Sequence, residues 1–522
     1  MQITVKNIKL PYDADFENTL PDILRKKGIK GVEWFRVIKK SVDARKKPQI
    51  FFVYTLLCEA REYPRDDGDI QSYTPDGFPN NVTVKRRFDG SPVVVGFGPC
   101  GMFCALMLAK WGFQPIVLER GSDIDKRKAK VEKYFADGTL DIECNVQFGE
   151  GGAGTFSDGK LITRVKDERC NFVLRELVHH GAPGEILYNA KPHVGTDKLR
   201  QVVKSIRNEI ISLGGQVLFD TRVTDIKRSG GGYNVITEKG DFYAPAVFLA
   251  SGHSAHDVYN MLMKNGVEVS PKDYSVGFRV EHLQKDVDFS LYGSASQGKN
   301  AHLLPKGEYS LSYREGDRGV YSFCMCPGGQ VVASASSENT IVTNGMSHYA
   351  RDGMNANSAI CISVLRSDYG NTPQGAMDFR ENMERAAYIL GGNDGKAPFQ
   401  TVGDFLENRV TKDFGKIIPT YPMGVRGARL SSLMPNRYNG IFQRAIRKFG
   451  SQFSFFKEEY APLTGVETRT SSPCRVERGE DLCVRGMPCF YPCGEGAGYA
   501  GGITSAALDG IRCATEYVTK VE

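Results

Sequence analysis

The stretch Val93–Glu119 restricts the possible folds of this chain more than any other. It reads Val-Val-Val-Gly-Phe-Gly-Pro-Cys-Gly and runs on to Ile-Val-Leu-Glu. Three β-branched residues make a short buried strand, and Gly96, Gly98 and Gly101 then fit G-x-G-x-x-G. Each glycine has a separate task. Gly96 turns the chain out of the strand, Gly98 lets backbone approach a pyrophosphate, and Gly101 lets the next helix pack against the strand. Met102–Lys110 is a good helix former, Pro115–Leu118 reads as a second strand, and Glu119 follows Gly101 by 18 residues. A carboxylate there can accept hydrogen bonds from a ribose diol. Strand, glycines, helix, strand and acid in that order predict a dinucleotide site, with phosphate held at the helix N-terminus beside Pro99 and Cys100.

The rest of the composition is that of an ordinary globular chain: 41% hydrophobic and 25% charged over 522 residues, enough for two to four domains. The net charge of +6 is too small for this length to imply nucleic acid by itself. Met1–Lys9 has no apolar signal core. Ser91–Ala109 is uncharged and long enough for a membrane span, but its three glycines and Pro99 argue for strand, loop and helix. The 13 cysteines include no C-x-x-C pair, so the expectation is a cytoplasmic protein with reduced thiols.

The first 88 residues read as a small α+β module: strand Gln2–Leu10, helix Phe16–Lys27, strands Glu33–Ser41 and Gln49–Glu59. Its run of cations, including Arg25, Lys26, Lys27, Lys39, Lys40 and Arg45 to Lys47, offers either a nucleic-acid surface or a solvated face. The acids Asp66, Asp67, Asp69 and Asp76 follow at once, in a Pro- and Asp-rich linker over 63–88, and favour the solvated face.

Beyond Glu119, Arg120 adds a cation next to the acid, and Gly121–Lys133 reads as a charged helix. On that helix Arg127 is either a phosphate ligand or an exposed charge. Residues 145–160 (NVQFGEGGAGTFSDGK) hold four glycines in six residues. Such a loop permits close approach to something flat or charged, with Gly152, Thr155, Ser157 and Lys160 as its contacts. Thr196–Leu213 is an amphipathic helix stopped by Gly214 and Gly215, and four short strands follow up to Phe248-Leu-Ala-Ser-Gly-His253. Small Ser251 and Gly252 suit a second pass near the dinucleotide. Residues 273–460 read as an inserted region with strands such as Ser275–Val280, Val320–Cys326 and Gln330–Ala335, and a long helix at Pro373–Leu390. Near the end, Phe490–Gly510 carries strand, Gly494-Glu495, small residues and a helix from about Gly502. Glu495 can bind sugar-like hydroxyls, and the helix start can stabilise negative charge at a ring edge.

Together these motifs resemble the FAD-dependent oxidoreductases of the glutathione-reductase-like superfamily of two-dinucleotide-binding-domain flavoproteins. Within it they resemble a group described as NAD(FAD)-utilising dehydrogenases. The segments that carry the likeness are Asn145–Leu161, Phe323–Gly329 (FCMCPGG), Thr468–Pro473 (TRTSSP) and Gly494–Gly510. The resemblance implies an α/β protein. A Rossmann-like FAD-binding domain (89–272 and 461–522) would be interrupted by an α+β cap or substrate domain (273–460), with the small α+β domain (1–88) in front. It implies FAD, and NAD(P)H as a possible transient donor. It assigns the pyrophosphate to Gly96, Gly98 and Gly101, the adenosine ribose to Glu119, a backbone adenine contact to Val223, and the flavin edge to Gly501, Gly502 and Ile503.

The catalytic groups are less determined. Arg279 and Arg469 are candidates to sit by the flavin or a bound anion, and His282 is a candidate proton carrier. Cys324 and Cys326 would point the same way in a strand, as either a vicinal thiol pair or two buried small hydrophobes. Cys489 and Cys493 lack partner ligands, so no metal is expected. The leading expectation is an FAD-dependent oxidoreductase with an unidentified small-molecule substrate. The alternatives are a flavoprotein that binds or modifies RNA through its N-terminal face, and a non-catalytic FAD-binding protein. Substrate and oligomeric state are open.

Overall fold

In this computed structural model residues 1–64 and 68–520 are described; Asp66 and Asp67 of the expected linker lie outside them. The centre of the molecule is a five-stranded parallel sheet ordered Phe490–Pro492, Val247–Leu249, Val93–Val95, Ile116–Leu118, Gln216–Leu218. Its strands are three residues long, and the central ones are wholly buried, as expected where helices cover a parallel sheet. Helix Pro99–Lys110 has every residue from Cys100 to Ala109 buried, packed between the sheet and the helices Thr196–Ser212 and Ile503–Thr519. It starts three residues earlier than its composition suggested, because Pro99 occupies the first turn, where no N–H is needed. The charged helix expected over Gly121–Lys133 runs from Ile124 to Asp137, capped by Asp123 and closed by left-handed Gly138. An antiparallel meander, Val223–Ser229, Gly232–Thr237 and Gly240–Ala244, follows helix Thr196–Ser212 and the sheet strand Gln216–Leu218.

The inserted region forms a seven-stranded sheet ordered Ser312–Glu315, Arg318–Cys326, Asn355–Val364, Tyr274–Leu283, Pro462–Glu467, Ala397–Thr401, Val425–Gly427. One face packs on helices Pro373–Gly391 and Asn436–Gln452 around Phe278, Phe405, Phe442 and Phe449. The central strand Tyr274–Leu283 is buried along almost its whole length, so both faces are covered. Pro462–Glu467 hydrogen-bonds to that strand and belongs to this sheet, beyond the boundary at 460 read from the sequence. It is buried at every position, so no polar alternation marks it as a strand in the sequence. The two crossings between the units lie side by side, Val269–Pro271 paired antiparallel with Cys474–Val476.

The N-terminal module is a four-stranded antiparallel sheet, Lys30–Lys46, Gln49–Glu62, Gln2–Pro11, Ile70–Ser72, with helix Phe16–Lys26 packed on it through Leu20 and Leu24. It docks on the main body. The Lys40 amide donates to the Tyr188 carbonyl at 2.7 Å, and Ile50 joins a small core with Tyr292 and Leu304. Several of its cations are paired within the module: Lys9 and Arg45 with Asp43, Lys30 with Glu62, Arg61 with Glu33. Among the described residues, no helix is long and apolar enough to cross a membrane.

Candidate functional site

The parallel sheet, the glycine-rich loop, the inserted sheet and the last helix enclose one cavity of about 390 Å³. Its first wall is backbone. Gly98 is the N-cap of helix Pro99–Lys110 and Gly502 that of helix Ile503–Thr519; neither end has a side-chain cap, and both line the cavity. Two helix N-termini thus present positive dipole ends to one enclosed space. A Cβ on Gly101 would come within 2.0 Å of the Gly96 carbonyl oxygen, so only glycine lets the helix approach its strand here. Gly98 and Gly152 face each other so closely that a Cβ on Gly152 would stand 2.9 Å from the Gly98 Cα. Around Gly252, Gly501 and Gly502, by contrast, an added Cβ would meet nothing within 4 Å.

The Glu119 carboxylate lines the cavity, and much of it is already used within the chain. It accepts from the Phe97 amide at 2.8 Å, from Gly121 at 3.0 Å and from Gly149 at 2.9 Å. Three of a carboxylate's roughly four acceptor sites are therefore filled. Glu119 ties the glycine turn to the glycine-rich loop, and one acceptor site is left for a hydroxyl. Arg127, which the sequence left between phosphate ligand and surface charge, is neither. It is fully buried, and its guanidinium donates to the carbonyls of Asn145, Val146, Gly149 and Glu150 at 2.6 to 3.3 Å. Burial lowers its pKa to about 10. Its role is to hold the loop's carbonyls from the back. Arg120 does line the cavity, its guanidinium carbon 4.2 Å from the centre of the Phe148 ring, with its charge met by Glu143 and Asp257.

Of the other expected contacts, Gly96, Pro99, Cys100, Ser157, Lys160, Val223, Ser251, Glu495 and Ile503 line the cavity. Gly101, Thr155 and Gly494 lie behind its surface; Gly494 donates its amide to Asp509 at 2.8 Å.

The second wall is made of side chains. Arg469 lines it, held by Glu384 at 2.9 and 3.1 Å. Arg279 and His282, both candidates for direct action, do not reach the cavity. They sit three apart on one strand and therefore on opposite faces. His282 faces the helices, packed among Tyr309, Phe455 and Phe456, and burial pushes its pKa down to about 3. Arg279 faces the cavity side, one layer back. Its guanidinium donates to Glu467 at 2.7 and 2.9 Å, to Asn357 at 2.7 Å and to the Cys324 carbonyl at 3.1 Å. Glu467 and Cys324 are the groups that meet the cavity in its place.

Several lining residues escaped the sequence reading. His253 ends the Ala-Ser-Gly run and approaches Glu495, Nε2 to Oε1 at 3.7 Å. Behind it, buried Arg380 donates to the His253 carbonyl at 3.0 Å and to His256. Burial first, then the Arg380 charge, holds both histidines well below their ordinary pKa, so both are neutral. Burial also raises the Glu495 carboxyl to about 7, which leaves a group able to hold or release a proton on the cavity wall at neutral pH. Asp158 lines the wall as well, paired with Arg351, which also holds Glu308, the partner of Lys160. The available signal was local for two of them: Asp158 lies in the Gly-rich segment and His253 closes the Ala-Ser-Gly run; Arg351, Arg380 and Glu308 carried none.

Away from the cavity, His179, His180 and Glu209 bring possible metal-ligand atoms within 4.8 Å of one another. The Lys110 ammonium already lies 2.8 Å from Glu209, so a cation's place there is filled.

Residues 273–470 match the family described as "FAD-dependent protein, C-terminal domain-like", and residues 2–59 match "Domain of unknown function (DUF8436)". An uncharacterized protein of Clostridium beijerinckii is 43% identical over 536 residues, covering 100% of this chain and 99% of its own. This chain belongs to that protein's family. Among solved structures, CtdE in complex with FAD overlaps 82% of this chain and 86% of its own, at 11% identity and a TM-score of 0.33. Glycine oxidase from Geobacillus kaustophilus covers 83% of this chain and 95% of its own, at 12% identity and a TM-score of 0.33. Halogenase PltM in complex with phloroglucinol and FAD covers 81% and 68%, at 10% identity and a TM-score of 0.38. These overlaps are loose, and no property of this chain rests on them.

Proposed function

We propose that this chain binds FAD in the cavity and works as an FAD-dependent oxidoreductase on a small molecule, with NAD(P)H as a candidate electron donor. The observation that carries the reading is one enclosed space that joins two uncapped helix N-termini, one after the G-x-G-x-x-G turn and one after Gly501-Gly502. An extended dinucleotide with phosphates near one end and an electron-poor ring at the other suits that arrangement. The family match over 273–470 supports it.

FAD, when bound, supplies two-electron transfer. The chain's residues supply the rest. Gly98 and Gly152 leave the space in which a pyrophosphate fits, and Glu119 keeps one acceptor site for a ribose hydroxyl. Val223 and Ser251 wall the end near the meander. Gly501, Gly502 and Ile503 place the last helix's N-terminus where negative charge on a ring edge is stabilised. Glu495 holds or accepts a proton beside neutral His253, and Arg469 gives fixed positive charge on the facing wall.

Full-length protein, reconstituted with FAD if needed, should bind one equivalent, show a flavin spectrum and bleach on anaerobic reduction. A panel of NADH, NADPH and dithiol donors then identifies the physiological class. Failure to retain FAD after reconstitution overturns the reading.

A further inference from the structure

Cys324 and Cys326 stand where the inserted sheet meets the cavity. In a regular strand two residues apart share a face but sit about 7 Å apart, too far for their sulfurs to meet. This strand is not regular. Its pairing with Asn355–Val364 slips between Phe323 and Cys326, and Cys324 itself adopts φ +45°, in the left-handed region. A non-glycine residue held there is strained and persists only where its surroundings impose it. Those surroundings are specific. Arg279 grips the Cys324 carbonyl at 3.1 Å, and the Cys326 Sγ lies 3.3 Å from the same oxygen. The kink brings the Cys326 thiol back over the Cys324 backbone instead of leaving it one full strand repeat away. Cys324 lines the cavity, whereas Cys326 is fully buried behind it.

We propose that Cys324 and Cys326 are a dithiol–disulfide couple that exchanges an electron pair with the flavin, Cys324 being the exposed sulfur and Cys326 the resolving one. The proposal rests on FAD occupying the cavity. In the oxidising direction two S–H bonds break and one S–S bond forms. Two electrons and one proton go to the oxidised flavin, the two-electron oxidant of the step, and the other proton goes to solvent. The reverse step reduces the disulfide at the expense of reduced flavin. Electrostatics supports the assignment. The Cys326 hydrogen bond and then the Arg279 and Lys160 charges outweigh burial and bring the Cys324 thiol down to about 7, while Cys326 is held well above its ordinary value. The cavity-side sulfur is thus the more readily deprotonated of the two, the character an exchanging thiol needs.

The chain offers a clean readout. Trypsin releases residues 319–351 as one peptide containing Cys324, Cys326 and no other cysteine. FAD-loaded full-length protein is oxidised with diamide, alkylated in denaturant and digested. The peptide should carry no alkyl group and be lighter by two hydrogens than the reduced form. In parallel, oxidised wild type should take up four electrons per flavin from dithionite under anaerobic conditions, and Cys326→Ser, at equal flavin content, should take up two. Cys326→Ala guards against a serine-specific folding defect. Protein that binds FAD but yields a doubly alkylated 319–351 peptide after diamide overturns the dithiol. So does equal electron uptake with and without Cys326. Protein that binds no FAD overturns the flavin reading and the exchange with it.

Discussion

The two walls of the cavity are built by opposite means. The wall over the parallel sheet is backbone, and its shape depends on absent atoms: at Gly101 a single Cβ would collide with the Gly96 carbonyl. The wall under the inserted sheet is side chains, and its shape depends on buried charge: Arg279 with Glu467, Arg469 with Glu384, Arg351 with Asp158. Thiols repeat the contrast. Cys100, Cys493 and Cys513 are buried together beneath the glycine turn; hydrogen bonding within the cluster and burial hold Cys493 and Cys513 well above the ordinary thiol value, and at Cys100 burial and the Asp509 carboxylate outweigh the Cys493 hydrogen bond and raise it to about 11. Cys324 and Cys326 stand beside Arg279 and Lys160, and Cys324 is pulled down. The same residue type is held protonated on one side and pulled down on the other: the Arg478 cation that reaches Cys513 is outweighed by burial and the Asp509 carboxylate, whereas at Cys324 the Arg279 and Lys160 cations outweigh Glu467.

The comparison can be tested from both sides. The largest effect is expected on the backbone wall. Gly101→Val should destabilise the chain by about 4 kcal/mol or more, because the clash is with a carbonyl that cannot move aside, and should abolish FAD retention. An unchanged urea midpoint would show that the helix can shift, and that the wall is softer than its contacts imply.

On the side-chain wall, Glu467→Gln leaves Arg279 buried without its counter-charge and should cost about 3–5 kcal/mol. Replacing both partners, Arg279→Met with Glu467→Leu, should restore much of that loss. A double variant as unstable as the single one would mean that the pair's hydrogen bonds to Asn357 and Cys324, and not its charge, matter most.

Glu495 gives a pH-dependent test. Its carboxyl titrates at about 7 in the folded chain, above the value of about 4.3 in an unfolded one. A raised carboxyl pKa means that the folded state holds its proton more tightly. Its contribution is fully present below about pH 4 and is lost as pH rises through 7. Relative to Glu495→Gln, wild type should therefore lose stability between pH 5 and pH 8, by at most about 3 kcal/mol. Parallel pH profiles for the two proteins in urea unfolding would place Glu495 in water.

The smallest effect is expected at an ion pair with similar geometry but no burial. Arg444 grips Glu315 at 2.5 and 2.8 Å, yet both side chains are exposed. Arg444→Ala should leave the urea midpoint within error, since water screens such a pair. A clear loss there would erase the distinction between buried and exposed pairs on which the second wall is explained.

Much of the backbone wall was legible in the sequence. G-x-G-x-x-G, the glycine-rich loop and the Gly501–Ile503 helix start are local patterns, and the strand and helix they predict are in place. The side-chain wall was not. Arg279, Arg469 and His282 looked alike as isolated charged or titratable residues. Their different fates follow from strand parity and from partners 80 to 190 positions away, such as Glu467 and Glu384. Arg127 was misjudged for the same reason: its acceptors are carbonyls of a loop that passes behind it only after folding.

The sequence by itself determined where the chain must turn tightly, where a helix N-terminus must stand open and which segments must be small, because backbone conformation and close packing depend on residues a few positions apart. Only the tertiary structure decided which cations reach the cavity, that Glu119 is largely used within the chain, and that Cys324 faces the cavity with Cys326 buried behind it. Charge pairing, pKa and thiol contact depend on distances between segments far apart in the chain, and burial, which sets the strength of each of those interactions, exists only once the two sheets have closed on the same space.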